Sequence, residues 1–233
     1  MCGRFVSTAP PDELATYFSA RLAVEAPLEP SYNVAPTDDV YVVVSDGSTR
    51  TLDAFHWGLV PSWSKDPSVG SRMINARAET LADKATYRRP FAKRRCLIPA
   101  SGFYEWKKRP GRKTKQPMFM ERPDGQPLAF AGLWEYWKGD GDGLRSTTII
   151  TCPPNDVLAP IHDRMPVILS PSAWDQWLNP EVDDLALLTK LLVPAPPALL
   201  TARPVSTQVN NVRNDGPELL DKFDPEAESA TSD

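Results

Sequence analysis

Short apolar runs separated by turn residues fill the middle of the chain. Two earlier runs, 39–45 and 49–57, flank Asp46-Gly47, a residue pair that is typical of hairpin turns. Closely spaced short strands of this kind indicate a mainly antiparallel sheet that curls into a partial barrel. The runs of the middle region are Arg95–Ile98, Gly102–Trp106, Pro117–Glu121, Leu128–Trp134 and Ser146–Thr151.

Helical signals lie between and after these runs. Prolines and acids at 10–13 suit the first turn of a helix whose inner face carries Leu14, Tyr17 and Phe18. Three more helices are predicted over 76–88, 170–178 and 183–192.

The pattern as a whole predicts an α+β fold. No linker or repeat divides the chain, so we expect one domain over 1–222, a mainly antiparallel curved sheet or partial β-barrel with peripheral helices. Residues 223–233 are acidic and small, which predicts a disordered tail.

Composition narrows the class of protein. Hydrophobic residues make up 41% and charged residues 24% of the 233, as in an ordinary soluble domain. There is no long uninterrupted apolar run and no secretory signal at the start, so we expect neither membrane insertion nor export. Three cysteines do not make a disulfide framework, which favours a reducing cytoplasm, and we expect a monomer.

The charge is distributed unevenly. The chain carries a net −4, yet the stretch 72–115 holds 14 Lys/Arg against 3 Asp/Glu, a net +11. A basic middle on an acidic chain is the pattern expected when one face meets phosphates. The alternative for 107–115 is a solvated hairpin loop, and for that stretch alone the alternative is favoured.

Cys2 carries unusual chemistry if Met1 is removed, because one residue then offers both a free α-amine and a thiol. The amine attacks an aldehyde to give a Schiff base, and the neighbouring thiol closes on the imine carbon to form a five-membered thiazolidine. An imine can also promote β-elimination, which makes strand cleavage a plausible side activity. Position alone favours no role for Cys2, and Met-Cys-Gly also begins glutamine-dependent amidotransferases that use an N-terminal thiol.

Further segments decide between these alternatives. Together with Met-Cys-Gly-Arg-Phe at the start, they closely resemble the SOS response-associated peptidase family, the abasic-site processing proteins. The matches run from residue 1 to about residue 220 in family order. The segments are Ile74–Thr80, Arg95–Pro99, Gly102–Trp106, Ile161–Pro166 and Val209–Asn214.

The resemblance implies that Cys2 cross-links to an abasic sugar after Met1 is lost by self-processing. It also implies that Asn75, Glu105 and His162 complete the active site. A carboxylate suits general acid–base work, an imidazole suits proton donation near neutral pH, and an amide both donates and accepts hydrogen bonds. Each residue alone has a duller account: Asn75 could cap a helix, Glu105 could pair at a strand end, and His162 could be a buried core histidine.

The implied partner is single-stranded DNA that contains abasic sites, with single-strand/double-strand junctions as an open alternative. Arginine forks grip phosphates and an exposed aromatic can stack on a base, whereas Trp57 is expected to fill core. The residues predicted to contact DNA are Arg4, Trp63, Ser64, Arg77, Arg88, Thr151 and Arg164.

No cofactor is expected. Cysteines and histidines lack paired zinc-type spacing, so no metal is expected either, and Cys96 and Cys152 are predicted to be buried strand residues. No glycine-rich phosphate loop is present. Two alternatives stay open beside the cross-linking reading: a peptidase or amidohydrolase of the N-terminal-nucleophile type, and an adaptor that binds gapped or junction DNA without bonding to it.

Overall fold

The computed structural model describes residues 2–139 and 141–225. Within these residues the chain forms thirteen strands and four α-helices. The strands are β1 (Phe5–Ser7), β2 (Ala20–Leu22), β3 (Ser31–Val34), β4 (Asp39–Ser45), β5 (Arg50–Trp57), β6 (Asn75–Arg77), β7 (Arg95–Ala100), β8 (Gly102–Lys107), β9 (Gln116–Glu121), β10 (Leu128–Trp137), β11 (Leu144–Cys152), β12 (Met165–Pro166) and β13 (Thr201–Pro204). The helices are α1 (Pro11–Tyr17), α2 (Ala85–Lys93), α3 (Pro171–Leu178) and α4 (Leu185–Thr189).

Five strands close into a barrel. The antiparallel order β5-β4-β7-β10-β11 returns to its start because β11 also pairs with β5 in parallel, with Ser146 opposite His56 and Thr147 opposite Trp57. Further along β11, residues 149–151 pair in parallel with β6. The first residues of β5 pair in parallel with β2. The predicted α+β fold with a mainly antiparallel curved sheet is confirmed, and the barrel is fully closed.

A second sheet, in the order β13-β9-β8-β1-β3, lies against the barrel. Its inner face sends Phe5 and Phe103 into the main core, where the Phe5 ring lies 5.1 Å from the Trp57 ring and the Phe103 ring lies 5.8 Å from that of Phe130. Trp57 is fully buried, as predicted. The outer face forms a smaller apolar cluster with the C-terminal segment, made of Val6, Tyr104, Phe119, Val205, Val209 and Leu219.

The predicted helix over 76–88 is wrong for residues 76–84, because the α-helix begins only at Ala85. Residues Asn75–Arg77 form β6, because parallel pairing with β11 satisfies their backbone groups, and a 3₁₀ turn at Ala78–Thr80 follows before α2 begins. The last predicted helix, 183–192, is shorter than expected; the Asp184 side chain accepts from Leu187 N and caps α4. No helix in the described part of the chain has the length and apolarity needed to cross a membrane.

Arg95, the first residue of β7, is a buried cation that ties two helices to the barrel. Its guanidinium donates to the carbonyl oxygens of Phe91 and Ala92 at the end of α2 and of Trp177 at the end of α3. The same group reaches Asn179 O at 2.5 Å and Val182 O at 3.0 Å. Burial lowers the pKa of Arg95 to about 10, so the group still carries its charge at neutral pH. It therefore caps two helix C-termini, where carbonyls lack partners and cations are favoured.

We expect Arg95→Lys to lower the free energy of unfolding by about 2–4 kcal/mol, because a single ammonium cannot replace a five-donor fork and leaves buried carbonyls unpaired. Urea unfolding followed by tryptophan fluorescence measures the change. Arg21→Lys at an exposed position of β2 is the matched control and should stay within about 0.5 kcal/mol of the parent protein. Equal effects of the two substitutions would contradict the capping role.

Candidate active site

The pairing of β1 with β8 brings the start of the chain to Glu105. Phe5 lies opposite Phe103, and Tyr104 N donates to Arg4 O at 3.0 Å, so the residues before Phe5 run alongside the end of β8. Cys2 is fully buried there and joins the main core cluster. Burial raises the pKa of the Cys2 thiol, and the nearby negative charge of Glu105 raises it further. The thiol is therefore protonated at neutral pH and needs a base to become a nucleophile.

Asn75 holds Cys2 from the other side. It is the first residue of β6, opposite Ile149 of β11, and the preceding carbonyl, Ile74 O, accepts from Trp57 Nε1 at 3.0 Å. With its backbone fixed in this way, Asn75 Nδ2 donates to Cys2 O at 2.8 Å. Its Oδ1 is buried and accepts no hydrogen bond within the residues that the structure describes. A buried acceptor beside the N-terminal residue can receive an N–H or O–H from a bound group.

Glu105 and His162 form the polar side of the site. The carboxylate is 2% exposed, and its Oε2 lies 3.7 Å from His162 Nε2. Burial raises the pKa of Glu105, and the His162 ring acts in the opposite direction. A carboxyl whose pKa is raised by burial is suited to exchange protons near neutral pH.

The loop between β11 and β12 fixes the His162 ring. Asn155 is buried at the start of this loop, where its Oδ1 accepts from Leu158 N at 3.1 Å, and His162 N donates to Leu158 O. Arg164 N donates to His162 Nδ1 at 3.1 Å, and the exposed Asp163 carboxylate lies 3.0 Å from the same atom. These contacts turn Nδ1 toward the loop and Nε2 toward Glu105.

The predicted active-site residues thus lie together. Cys2, Asn75, Glu105 and His162 come from the chain start, β6, β8 and a loop, and the structure brings all four to one place. Asn75 is a strand residue, so a helix-capping role does not apply to it. In the described part of the chain, no group of three or more His, Cys, Asp or Glu side chains could hold a metal ion. The chemical roles of the four residues stay predictions.

Three of the residues predicted to contact DNA are engaged inside the protein. Arg164 makes a two-point ion pair with Glu79, at 2.6 and 2.9 Å, and also donates to Thr151 O. Thr151 is fully buried on β11. The half-buried Arg4 donates to Asn33 Oδ1 at 2.7 Å and to a carbonyl of the C-terminal segment. These contacts hold segments of the protein to one another. Contact of the three residues with DNA stays a prediction.

The other four predicted contacts reach the surface. Arg77 and Arg88 are exposed, and Trp63 is 69% exposed on the loop between β5 and β6. Ser64, its neighbour, is partly exposed, and its carbonyl accepts from Trp137 Nε1 at 2.7 Å. Contact of these four with DNA is likewise untested and stays a prediction.

Sequence reasoning missed how this loop is held. Its two ends meet where Gly58, at a φ of +141°, packs on Gly70; a Cβ on Gly58 would lie 2.6 Å from Gly70 O. Ser62 Oγ donates to the buried Glu135, which also pairs with Arg94. A lone acid within the apolar run of β10 was the available signal for Glu135. Trp63 is thus an exposed aromatic on a well-anchored loop.

Fold and site together define a class: a closed-barrel α+β protein with a cysteine at position 2 gathered beside an amide, a carboxylate and an imidazole. A family model described as SOS response associated peptidase (SRAP) matches residues 1–212. The chain belongs to the SRAP family, which confirms the resemblance found in the sequence.

Several relatives are named abasic site processing proteins. Abasic site processing protein YoqW of Bacillus subtilis (strain 168) is 44% identical over 223 residues, covering 95% of this chain and 99% of the relative. Abasic site processing protein YedK of Escherichia coli (strain K12) is 32% identical, covering 94% and 99%. Abasic site processing protein HMCES of Xenopus tropicalis is 33% identical, covering 94% of this chain and 78% of the relative.

Solved structures share the fold. A crystal structure of a protein from Bacteroides thetaiotaomicron superposes with a TM-score of 0.85 at 24% identity, covering 95% of this chain and all of that one. One from Bordetella bronchiseptica gives a TM-score of 0.73 at 26% identity, covering 88% and 100%. At 24% identity, the similarity to the Bacteroides protein supports the fold alone. The family match ends at residue 212, so the predicted boundary at 222 stays a prediction, and residues 226–233 of the predicted tail lie outside the described residues.

Glu105→Gln should stabilise the protein, and more so at high pH. An unfolded glutamate ionises near pH ~4.3. In the folded protein the pKa of Glu105 is raised, so the unfolded state loses this proton at a lower pH than the folded state does. The free energy of unfolding therefore falls as pH rises. The folded protein therefore loses stability between the unfolded and the folded pKa of Glu105, and the glutamine variant does not.

The measurement is urea unfolding of both proteins at about pH 4 and about pH 8, with the exposed Glu218→Gln as control. The free-energy difference between Glu105→Gln and the parent should grow with pH, whereas that of Glu218→Gln should not. A difference for Glu105→Gln that stays constant across this range would show that ionising this carboxyl costs the fold nothing.

Proposed function

We propose that this protein processes abasic sites in single-stranded DNA by forming a covalent thiazolidine with Cys2 once Met1 has been removed. The observation that carries the proposal is the convergence of Asn75, Glu105 and His162 on the first residues of the chain. The names of the relatives, abasic site processing proteins across bacterial and vertebrate sequences, support the same substrate.

The bond-forming steps need no external reagent. An abasic sugar opens to an aldehyde, the Cys2 amine adds to its carbonyl carbon, and loss of one water gives an imine. The thiol then adds to the imine carbon and its proton passes to the nitrogen, which closes the ring. Glu105 takes the thiol proton and returns it, a role that suits a carboxyl with a raised pKa beside a thiol with a raised pKa.

Removal of Met1 can use the same groups. With Glu105 as base, Cys2 Sγ attacks the Met1 carbonyl carbon, the bond to the Cys2 nitrogen breaks, and that nitrogen takes the proton. Water then hydrolyses the thioester, which releases methionine and restores the thiol. This step is self-processing and accounts for the peptidase in the family's description.

His162 and Asn75 assist at the sugar. His162 Nε2 faces the site and, when it carries a proton, donates to the opening ring oxygen or, if the imine proceeds to β-elimination, to the leaving phosphate oxygen. Asn75 Oδ1, buried without a donor among the described residues, accepts from the liberated Cys2 amine or from a sugar hydroxyl. The lyase reaction is a side activity because ring closure consumes the imine.

The DNA strand lies along exposed cations near the site. Arg77 follows Asn75 on β6, and Arg88 extends the basic surface on α2. Trp63 offers a stacking face on its anchored loop. Arg4, Arg164 and Thr151 support the site from within through their protein contacts. Backbone contacts of this kind carry no sequence code, in keeping with a lesion that has no base.

The cross-link should be abolished by Cys2→Ala. The protein is mixed with single-stranded DNA that carries one abasic site and analysed on a denaturing gel; the parent gives a shifted band and the variant gives none. Cys2→Ser keeps the amine and loses the thiol, so it should give a band only when borohydride reduces the imine. Cys96→Ala, at an equally buried cysteine of β7, is the matched control and should cross-link as the parent does.

The alternatives give different results in the same experiment. A peptidase or amidohydrolase would release peptide or glutamate without a DNA band, and a non-covalent adaptor would shift DNA on native gels only. A parent protein that gives no denaturing-gel band contradicts the proposal. Glu105→Ala that cross-links as fast as the parent contradicts the role of Glu105.

Self-processing predicts that Glu105→Gln retains Met1. Intact-mass spectrometry of proteins produced in the same cells should show the parent lacking one methionine and the variant keeping it. Glu135→Gln, at a buried carboxylate away from Cys2, is the control and should lose Met1 as the parent does. Equal loss from both variants would assign the removal to a separate aminopeptidase.

A further inference from the structure

The C-terminal strap, residues 205–215, crosses the outer face of the second sheet. It starts at β9, where Val205 N donates to Pro117 O at 3.1 Å, and it ends at β3, where Tyr32 N donates to Asp215 Oδ1. Between these points Val209 is buried in the outer cluster. The strap therefore runs across β8 and β1, the two strands that carry Glu105 and the chain start.

Residues next to the active site hold the strap in place. Arg4, two positions after Cys2, donates to Val209 O at 3.0 Å, and Trp106, which follows Glu105, donates through Nε1 to Asn210 Oδ1 at 2.7 Å. These anchors place the middle of the strap beside the site at the level of the protein surface.

The strap ends in a tight turn that is fixed by buried polar groups. Asn33 is 3% exposed, and its Nδ2 lies within hydrogen-bond distance of the carbonyls of Val209, Asn211 and Asn214. Asn214 N donates to Asn211 O, and Arg213 N donates to Asn211 Oδ1. These hydrogen bonds hold the backbone of the turn in one conformation.

Packing does not account for the residues at the tip of this turn. Val212 is 54% exposed and Arg213 is exposed. Arg213 forms no ion pair with any residue in the described ranges. The nearest acid along the chain, Asp215, is bound to Tyr32 N. An exposed apolar side chain and a guanidinium without an ion pair among the described residues thus follow one another in a turn that is fixed at Asn33, a partner of Arg4.

We infer that this turn is a DNA-contacting element, in which Arg213 grips a phosphate of the strand held at Cys2 and Val212 packs on an adjoining sugar or base. The inference rests on the proposed function and adds a binding element to it. A guanidinium fork matches a phosphate at two points, and a prefixed turn loses little conformational freedom on binding. The turn lies on the strap side of β1 and β8, so it confines the strand from the side opposite Asn75 and His162.

Binding is measured with single-stranded DNA that carries a tetrahydrofuran site, which has no aldehyde and cannot cross-link. Fluorescence anisotropy gives Kd over a series of salt concentrations. Arg213→Ala should weaken binding several-fold and lower the slope of log K against log[salt] by about 0.7, the loss of one phosphate contact to a single strand. Val212→Ala should weaken binding without changing the slope.

The matched controls are Arg21→Ala and Leu22→Ala. These neighbouring residues are also an exposed arginine and an exposed hydrophobic residue, but they lie on β2. Strand β2 pairs with the first residues of β5, whereas the end of β5 that lies near the site is the opposite one, where Trp57 donates to Ile74 O. Neither control should change Kd or slope.

An unchanged Kd and slope for Arg213→Ala would overturn the inference. The inference would also be overturned if Arg213→Ala lowered the urea midpoint of unfolding but left the slope of log K against log[salt] unchanged. That result would mean that Arg213 stabilises the fold and does not contact a phosphate. The proposed function fails separately, when the parent protein forms no cross-link with aldehyde-bearing DNA, since the tetrahydrofuran measurement needs no covalent step.

Discussion

The antiparallel register of β1 on β8 is the constraint on which the site depends. With Phe5 fixed opposite Phe103, the residues before it reach Glu105. A shift of one residue would turn Phe5 out of the barrel core and move Cys2 away from Asn75 Nδ2. The packing of Phe5 against Trp57 therefore stabilises the fold and positions Cys2 through the same contact.

The site is costly for the fold to maintain. Burial raises the pKa of both Cys2 and Glu105, which means that their reactive, ionised forms are disfavoured where they sit. Asn75 Oδ1 adds a buried acceptor with no donor among the described residues. Such features persist only where the surroundings are rigid, and the closed barrel beneath β1 and β6 supplies that rigidity.

The sequence predicted the barrel strands well because each is a clear apolar run bounded by turn residues. It failed at 75–77, where three residues become a strand only because β11 has a free edge to pair with, a fact set by tertiary structure. The short strands β1, β3 and β13 were missed for the same reason. The resemblance to family motifs identified the four candidate residues, Cys2, Asn75, Glu105 and His162. Their spacing could not predict that they lie together, because residues so far apart along the chain come into contact only when the barrel has folded.

Arginines near the site divide into two kinds, and the division bears on how DNA would be attracted. Arg164 is neutralised by Glu79, whereas Arg4 keeps its charge but is held in place by Asn33 and the strap. Arg77, Arg88 and Arg213 are exposed and make no ion pair within the described residues, and their potential extends into solvent over about a Debye length. On a chain with a net charge of −4, phosphates are drawn to such local cations and repelled elsewhere. The inward arginines thus hold the chain start and the loop of His162 in place, and under the proposed function the outward ones are the cations that a DNA strand would meet first.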